Sequence, residues 1–320
     1  MKHQIRIMLA LLFALILPLL LPSCGKPAER DKPQVVATLF PQYDFARQLA
    51  GDRADVTLLL GFGADAHTYD PTPADMLKIA NADLFIYTGG EMELWTDKLL
   101  KSADIAEAVE SGSLRVLDLS KCVALLPAAE HDHDGEHGDA DHDHSDCDPH
   151  IWTSLDNAKA LCAAIADALT AIDPSGAPLY AENFAAYTEK LASLKTEMQE
   201  VRQNAAHDCA YFGGSFAFAY LFDEFDLDHL SVFEGCASYT EPSPAAMLAI
   251  VEAIKASGAP AVLYDSLSEQ KTAEAIAAEC GVRVLRLHAI HNITQAEYDA
   301  GEDYLSLTKK NIEVLREALG

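Results

Sequence analysis

The chain has 320 residues, half of them apolar, with 50 acidic side chains against 23 basic ones and a formal net charge of −27. That charge repels nucleic-acid phosphates and anionic lipid headgroups and attracts cations, so nucleic acid is excluded as a partner and a cation is favoured. The length suffices for two ordinary lobes of a globular protein.

Lys2, His3 and Arg6 form a short basic end, and Met8 to Leu21 is an uncharged apolar run. It is too short for a comfortable membrane span and reads as the hydrophobic region of a signal peptide, residues 1–23. Leu21-Pro22-Ser23-Cys24 resembles a lipobox, with cleavage before Cys24 and a lipid on that cysteine. Residues 24–32 then form a tether, and the chain sits on a bacterial cell membrane, lipid-anchored and facing outside. Removal of Lys2 and Arg6 takes the mature chain to −29, with 21 basic side chains against 50 acidic ones. Six cysteines remain: Cys122, Cys147, Cys162, Cys209, Cys236 and Cys280. Their spacing is wide and no CxxC occurs, so no pairing follows from the sequence.

Short β-rich runs at Val35–Leu39, Val56–Leu60, Leu84–Tyr87 and Leu114–Leu119 alternate with helical patterns such as Tyr43–Ala50. Thr72-Pro73-Ala74-Asp75 opens another helix, with Thr72 as cap, Pro73 in the first turn and Asp75 at the positive end of the dipole. A helix over Asp156–Ile172 stops at Asp173-Pro174. Leu179 to Asn204 is one long periodic helix with Tyr180, Phe184, Tyr187, Leu191 and Leu194 on a stripe. Strands then resume at Cys209–Phe212, His229–Phe233, Ala261–Tyr264 and Val282–Leu287. The alternation predicts an α/β fold of two lobes, each a mostly parallel sheet flanked by helices. The lobes are expected at 33–178 and 205–320, with the linking helix at 179–204.

Glu130 to Trp152 reads EHDHDGEHGDADHDHSDCDPHIW. His131, His133, His137, His142 and His144 alternate with carboxylates, and no apolar side chain larger than alanine stands before Ile151 except Cys147 and Pro149. The stretch 128–147 is therefore expected as a disordered loop that collects divalent metal weakly. Ligands of an open parallel sheet gather at the carboxyl ends of its strands. His67, His150, His288 and His291 follow strand ends, as do Ser215 and Asp265.

Gly63-Ala64-Asp65-Ala66-His67-Thr68-Tyr69-Asp70-Pro71-Thr72-Pro73-Ala74-Asp75 resembles the first ligand motif of the zinc/manganese substrate-binding lipoproteins of ABC importers, the ZnuA-like family. Ala82 to Trp95 is similar to the segment that follows it, and Asp148-Pro149-His150-Ile151-Trp152 resembles the second ligand motif. Thr240-Glu241-Pro242-Ser243 and Asn311-Ile312-Glu313-Val314-Leu315 also fit. The resemblance implies two lobes joined by a rigid helix, with metal between them and His67 and His150 as ligands. The family's third donor falls at or near Ser215, a poor zinc ligand, and Leu287-His288 stands where the family has Leu-Asp. His288 is thus the expected third ligand and His291 the alternative, with Asp265 or Glu241 as oxygen donors or supports. Three imidazoles favour Zn2+ over Mn2+. The implied partners are a permease and its cytoplasmic ATPase, and the implied state is a monomer, not an enzyme. The alternatives are a manganese or iron member of the family, a zinc-dependent hydrolase, and a zinc-storage or adhesin surface protein. No HExxH or GxSxG supports the hydrolase.

Overall fold

Short apolar runs, each followed by a helix, build two parallel sheets in the computed structural model, which describes residues 31–64, 68–128, 147–233, 242–265 and 270–320. In the first lobe the elements are β1 (Gln34–Ala37), α1 (Phe40–Ala50), β2 (Asp55–Leu58), α2 (Pro73–Ala80), β3 (Leu84–Tyr87), α3 (Trp95–Leu100), α4 (Ala103–Glu110) and β4 (Arg115–Asp118). Their order is β2-β1-β3-β4, all parallel, with Val35 opposite both Val56 and Leu84. All four residues of β3 are buried. Helices on both faces of a parallel sheet explain why such a strand is a continuous apolar run.

α5 (Leu155–Ile172) and the 28-residue α6 (Ala177–Asn204) follow. Tyr180, Tyr187, Leu191, Leu194, Met198 and Val201 bury one stripe of α6, whereas Phe184 is only partly covered. The second lobe comprises β5 (Cys209–Phe212), α7 (Ala219–Glu224), β6 (Asp228–Ser231), α8 (Pro244–Ser257), β7 (Ala261–Asp265), α9 (Gln270–Cys280), β8 (Arg283–Leu287), α10 (Gln295–Asp299) and α11 (Tyr304–Leu319). Its order, β6-β5-β7-β8, repeats that of the first lobe position by position.

One apolar cluster runs through both lobes. It joins Phe45 and Leu49 of α1, Ile165 and Leu169 of α5, Leu191 of α6, Phe212 of β5, Leu263 of β7 and Leu315 of α11. Tyr304 is 1% exposed and ties the lobes twice: its N–H donates to Asp44 Oδ2 at 3.0 Å and its hydroxyl to the Trp152 carbonyl at 2.6 Å. Cys122, Cys162, Cys209 and Cys280 are free thiols, and Cys24 and Cys236 lie outside the described residues.

The strand order puts a topological switch between β1 and β3, where an open sheet usually leaves a crevice. Here buried polar groups fill it. Thr38, Gln42, Thr88 and Glu93 are each 1% exposed. Glu93 accepts the N–H of Thr88 at 2.7 Å and of Gly89 at 3.2 Å, and the Gln42 amide meets the Thr88 hydroxyl at 2.6 Å. Burial dominates these hydrogen bonds and pushes the Glu93 carboxyl up to about 7. The unfolded chain therefore gives up this proton first, the folded chain holds more protons between the two values, and stability falls as pH rises through that window. From the ordinary 4.5 to about 7 the loss amounts to about 3 kcal/mol. In urea titrations, the stability of Glu93→Gln relative to the parent should improve by up to that amount between pH 4.5 and pH 8. A difference that stays constant with pH would show that Glu93 ionises normally.

Candidate metal centre

β4 ends at Asp118, and the chain leaves through Pro127, which pairs with Cys147 in an isolated antiparallel bridge. The histidine-rich insertion thus departs from and returns to neighbouring backbone. Tyr220 of α7 clasps this base, accepting from Leu126 N at 3.1 Å and donating to the Asp148 carbonyl at 2.8 Å. Asp148 then folds back on the histidine two residues on: one carboxylate oxygen accepts the His150 N–H at 2.8 Å and meets Nδ1 at 2.9 Å. Burial works to raise the Asp148 carboxyl, but His150 and its hydrogen bonds hold it below its ordinary value. A charged carboxylate on Nδ1 keeps the ring proton there and the lone pair on Nε2, the arrangement usual for a metal-binding imidazole. His150 and Trp152 are each 1% exposed.

The second contribution comes after β8. His288 N–H donates to Asn311 Oδ1 at 2.8 Å, and Asn311 returns a bond to the His288 carbonyl at 2.7 Å. The His288 Nδ1 accepts the Ile290 N–H at 2.9 Å, so the ring proton sits on Nε2, 3.7 Å from Glu297 Oε1. Burial first, and Arg286 second, lower the His288 pKa and favour the neutral ring. Ile290 has φ of +63°, rare for a β-branched residue, and turns the chain towards the first lobe. The ring brought to His150 is consequently that of His291, not His288. The two ring centres are 6.3 Å apart, and His291 lies 6.5 Å from Trp152.

Backbone bonds hold that placement. The His291 carbonyl accepts from Phe40 N at 3.2 Å, and the Trp152 indole donates to the Ala289 carbonyl at 2.8 Å. Asn292 donates to the carbonyls of Gly61 at 2.9 Å and Ala64 at 2.7 Å, while Gly63 N reaches the Ile293 carbonyl at 2.8 Å. Ala64 stands three residues before His67 in the sequence. His67 itself, Glu241 and the loop histidines 131, 133, 137, 142 and 144 lie outside the described residues. Ser215 is buried three residues beyond β5, and Asp265, buried at the end of β7, acts electrostatically on His288. Among the described residues, no three His, Cys, Asp or Glu side chains form a group able to hold a metal ion. Sequence reasoning did not find Asn292 as the clamp on the His67 loop or Glu297 beside His288. The only local sign of the former is an amide next to His291.

Zinc-binding lipoprotein AdcA of Streptococcus pneumoniae R6 is 32% identical over 311 residues, covering 97% of this chain and 60% of that protein. The chain thus spans about 60% of the length of the AdcA relatives it matches. High-affinity zinc uptake system protein ZnuA of Bacillus subtilis is 28% identical, with 94% of each chain covered. The crystal structure of the Zn(II)-bound ZnuA-like domain of Streptococcus pneumoniae AdcA superposes with a TM-score of 0.74 at 29% identity, covering 90% of this chain and 99% of that one. The metal-dependent lipoprotein YcdH from Bacillus subtilis gives 0.74 at 25% identity, over 90% of this chain and 99% of that one. Residues 35–318 match the family model described as ZnuA, zinc-uptake complex component A, periplasmic, and the chain belongs to that family.

Proposed function

We propose that this protein captures Zn2+ outside the cytoplasm and delivers it to an ABC importer, as a binding protein and not an enzyme. The observation that carries the reading is the pair of buried rings, His150 from the first lobe and His291 from the second, 6.3 Å apart. Two imidazoles on one tetrahedral zinc, with Zn–N of about 2.0–2.1 Å, have centres roughly 5 Å apart. An inward adjustment of about 1 Å would bring them to a shared ion. His67 supplies the third nitrogen in this reading. Its support is the anchoring of Gly61, Gly63 and Ala64 to Asn292 and Ile293, the residues directly after His291. His288 then acts as a brace for the turn, because its Nδ1 is occupied by Ile290. Nitrogen donors favour zinc over manganese. The names of the relatives, zinc-binding lipoprotein and zinc uptake protein, point the same way.

The working protein in this proposal comprises lobes at 33–178 and 205–320, a linking helix at 179–204, and a lipid on Cys24 that keeps a monomer at the outer face of the membrane. A permease and a cytoplasmic ATPase complete the system.

Replacement of His67, His150 or His291 by alanine should weaken tight zinc binding by more than the 10–100-fold typical of a lost supporting contact. His288→Ala should lie within or below that range. Competition against a chromophoric chelator reads both, and a silent His291→Ala beside a crippling His288→Ala would reverse the assignment.

Deletion of residues 129–145 should leave one tight zinc site and remove weaker ones in a calorimetric titration. Loss of the tight phase with the loop would sink the inter-lobe site.

Cys24→Ser should release the protein from membranes and abolish labelling by radioactive palmitate. Unchanged fractionation of the variant, with an unlabelled parent, would refute the anchor.

A further inference from the structure

His150 belongs to the first lobe by sequence, yet one short helix of the second lobe holds the chain on both sides of it. Tyr220 and Glu224 lie four residues apart on α7, so they share a face. Ahead of the histidine, the Tyr220 hydroxyl donates to the Asp148 carbonyl at 2.8 Å. Behind it, Glu224 Oε2 accepts from the Ser154 hydroxyl at 2.7 Å, from Leu155 N at 2.7 Å and from Asp156 N at 3.3 Å. Between these two tethers α7 packs against the turn Ile151–Thr153. The helix is itself anchored in the second lobe, where Phe222 meets the rings of Phe212 and Phe216.

Helix capping explains only part of this. Ser154 already caps α5 by accepting from Asn157 N at 3.1 Å, and Asp156 puts an acid in the first turn. Glu224 reaches the two remaining N–H groups from about 70 residues along the chain, with a side chain only 8% exposed. Lys195 of α6 meets its other oxygen at 3.0 Å and balances its charge. Burying a carboxylate costs solvation that a helix end served by local side chains or water does not spend. The arrangement mirrors that of His291, whose segment belongs to the second lobe and is bonded by the first. Each histidine turn is thus bonded to the lobe that does not carry it.

We propose that Tyr220 and Glu224 are positioning residues for zinc: through the backbone on either side, they fix the His150 turn against the second lobe and keep its ring opposed to that of His291. The proposal rests on the zinc reading above. Neither side chain touches the ion. The lobes cannot draw the two histidines apart without breaking the bonds of both turns. The bonds of α7 therefore govern how long zinc stays more than how fast it arrives, as is usual for contacts that tune affinity.

Tyr220→Phe, Glu224→Ala and Glu224→Gln are compared with the parent in the full chain. Transfer of Zn2+ to excess chromophoric chelator times dissociation, competition gives the Kd, and the association rate follows from the two. Each protein is also loaded with Co2+, whose visible spectrum reports coordination geometry, and melted to register stability. Tyr220→Phe and Glu224→Ala should each speed zinc dissociation about tenfold, leave association within about twofold and shift the cobalt bands. Glu224→Gln keeps an oxygen acceptor for the helix N–H groups and should return dissociation to within about threefold of the parent. A lowered Tm with parental dissociation and a parental cobalt spectrum would show that the two residues only stabilise the fold, and overturns the positioning role. Should Glu224→Ala not fold, Tyr220→Phe, which removes a single hydroxyl, decides alone. A parent that binds no zinc refutes the zinc reading; unchanged variants of a parent that does bind it refute this proposal and leave that reading standing.

Discussion

The placement of the candidate centre depends on one short segment that belongs to the second lobe by sequence and to the first by hydrogen bonding. Residues 289–293 lie against the first lobe through Trp152, Phe40, Gly61, Gly63 and Ala64. Most of these bonds involve backbone groups, and residues 289–293 are themselves buried. Leaving one such group unmatched costs roughly 1–3 kcal/mol, more than the bond itself contributes net, so the segment has little freedom to separate from its partners. The core that runs beneath, from Phe45 to Leu315, and the double tie of Tyr304 add the same restriction at depth. The separation of the rings of His150 and His291 is therefore set by packing that spans both lobes. Preorganised donors spare a ligand much of the ordering cost of binding.

Electrostatics within the lobes keeps other polar groups out of that role. In the first lobe the crevice between β1 and β3 is filled by Thr38, Gln42, Thr88 and Glu93, which bond to one another or to local backbone. In the second, Glu297 lies beside His288, and its carboxyl is held at about 2: burial raises it, but Thr294, His288 and Arg286 outweigh burial. These groups are committed inside one lobe. His150 and His291 instead come from opposite lobes, and their ring centres lie 6.3 Å apart.

The sheets were legible in the sequence because strands buried on both faces read as unbroken apolar runs; Leu84–Tyr87 and Cys209–Phe212 fall as expected. The cap at Thr72 was legible because its chemistry is local, and the structure closes it as a reciprocal capping box with Asp75. The stripe on α6 was read apart from Phe184, and several helices of the second lobe were not singled out. Alanine-rich stretches such as 244–257 and 270–280 carry weak periodicity and form because a sheet waits to be covered. Which of His288 and His291 has its ring beside His150 was not legible. That turns on the positive φ of Ile290, and no propensity predicts that conformation for a β-branched residue.

That strain has a physical place in the design of the turn. A non-glycine residue in the left-handed region costs of order 1–3 kcal/mol and persists only where its surroundings over-determine it. Here they do: the Ile290 side chain is 4% exposed, its N–H is held by His288 Nδ1, and His288 is itself fixed at both backbone ends by Asn311. The two lobes share one strand order, so β4 and β8 are equivalent, and each is followed by a histidine whose ring faces the other. The first lobe secures its histidine with a carboxylate two residues earlier. The second has no carboxylate at the corresponding step; it uses His288, three residues earlier, to hold a strained turn instead. An imidazole at position 288 thus has a structural task in the turn itself, through the N–H that its Nδ1 accepts.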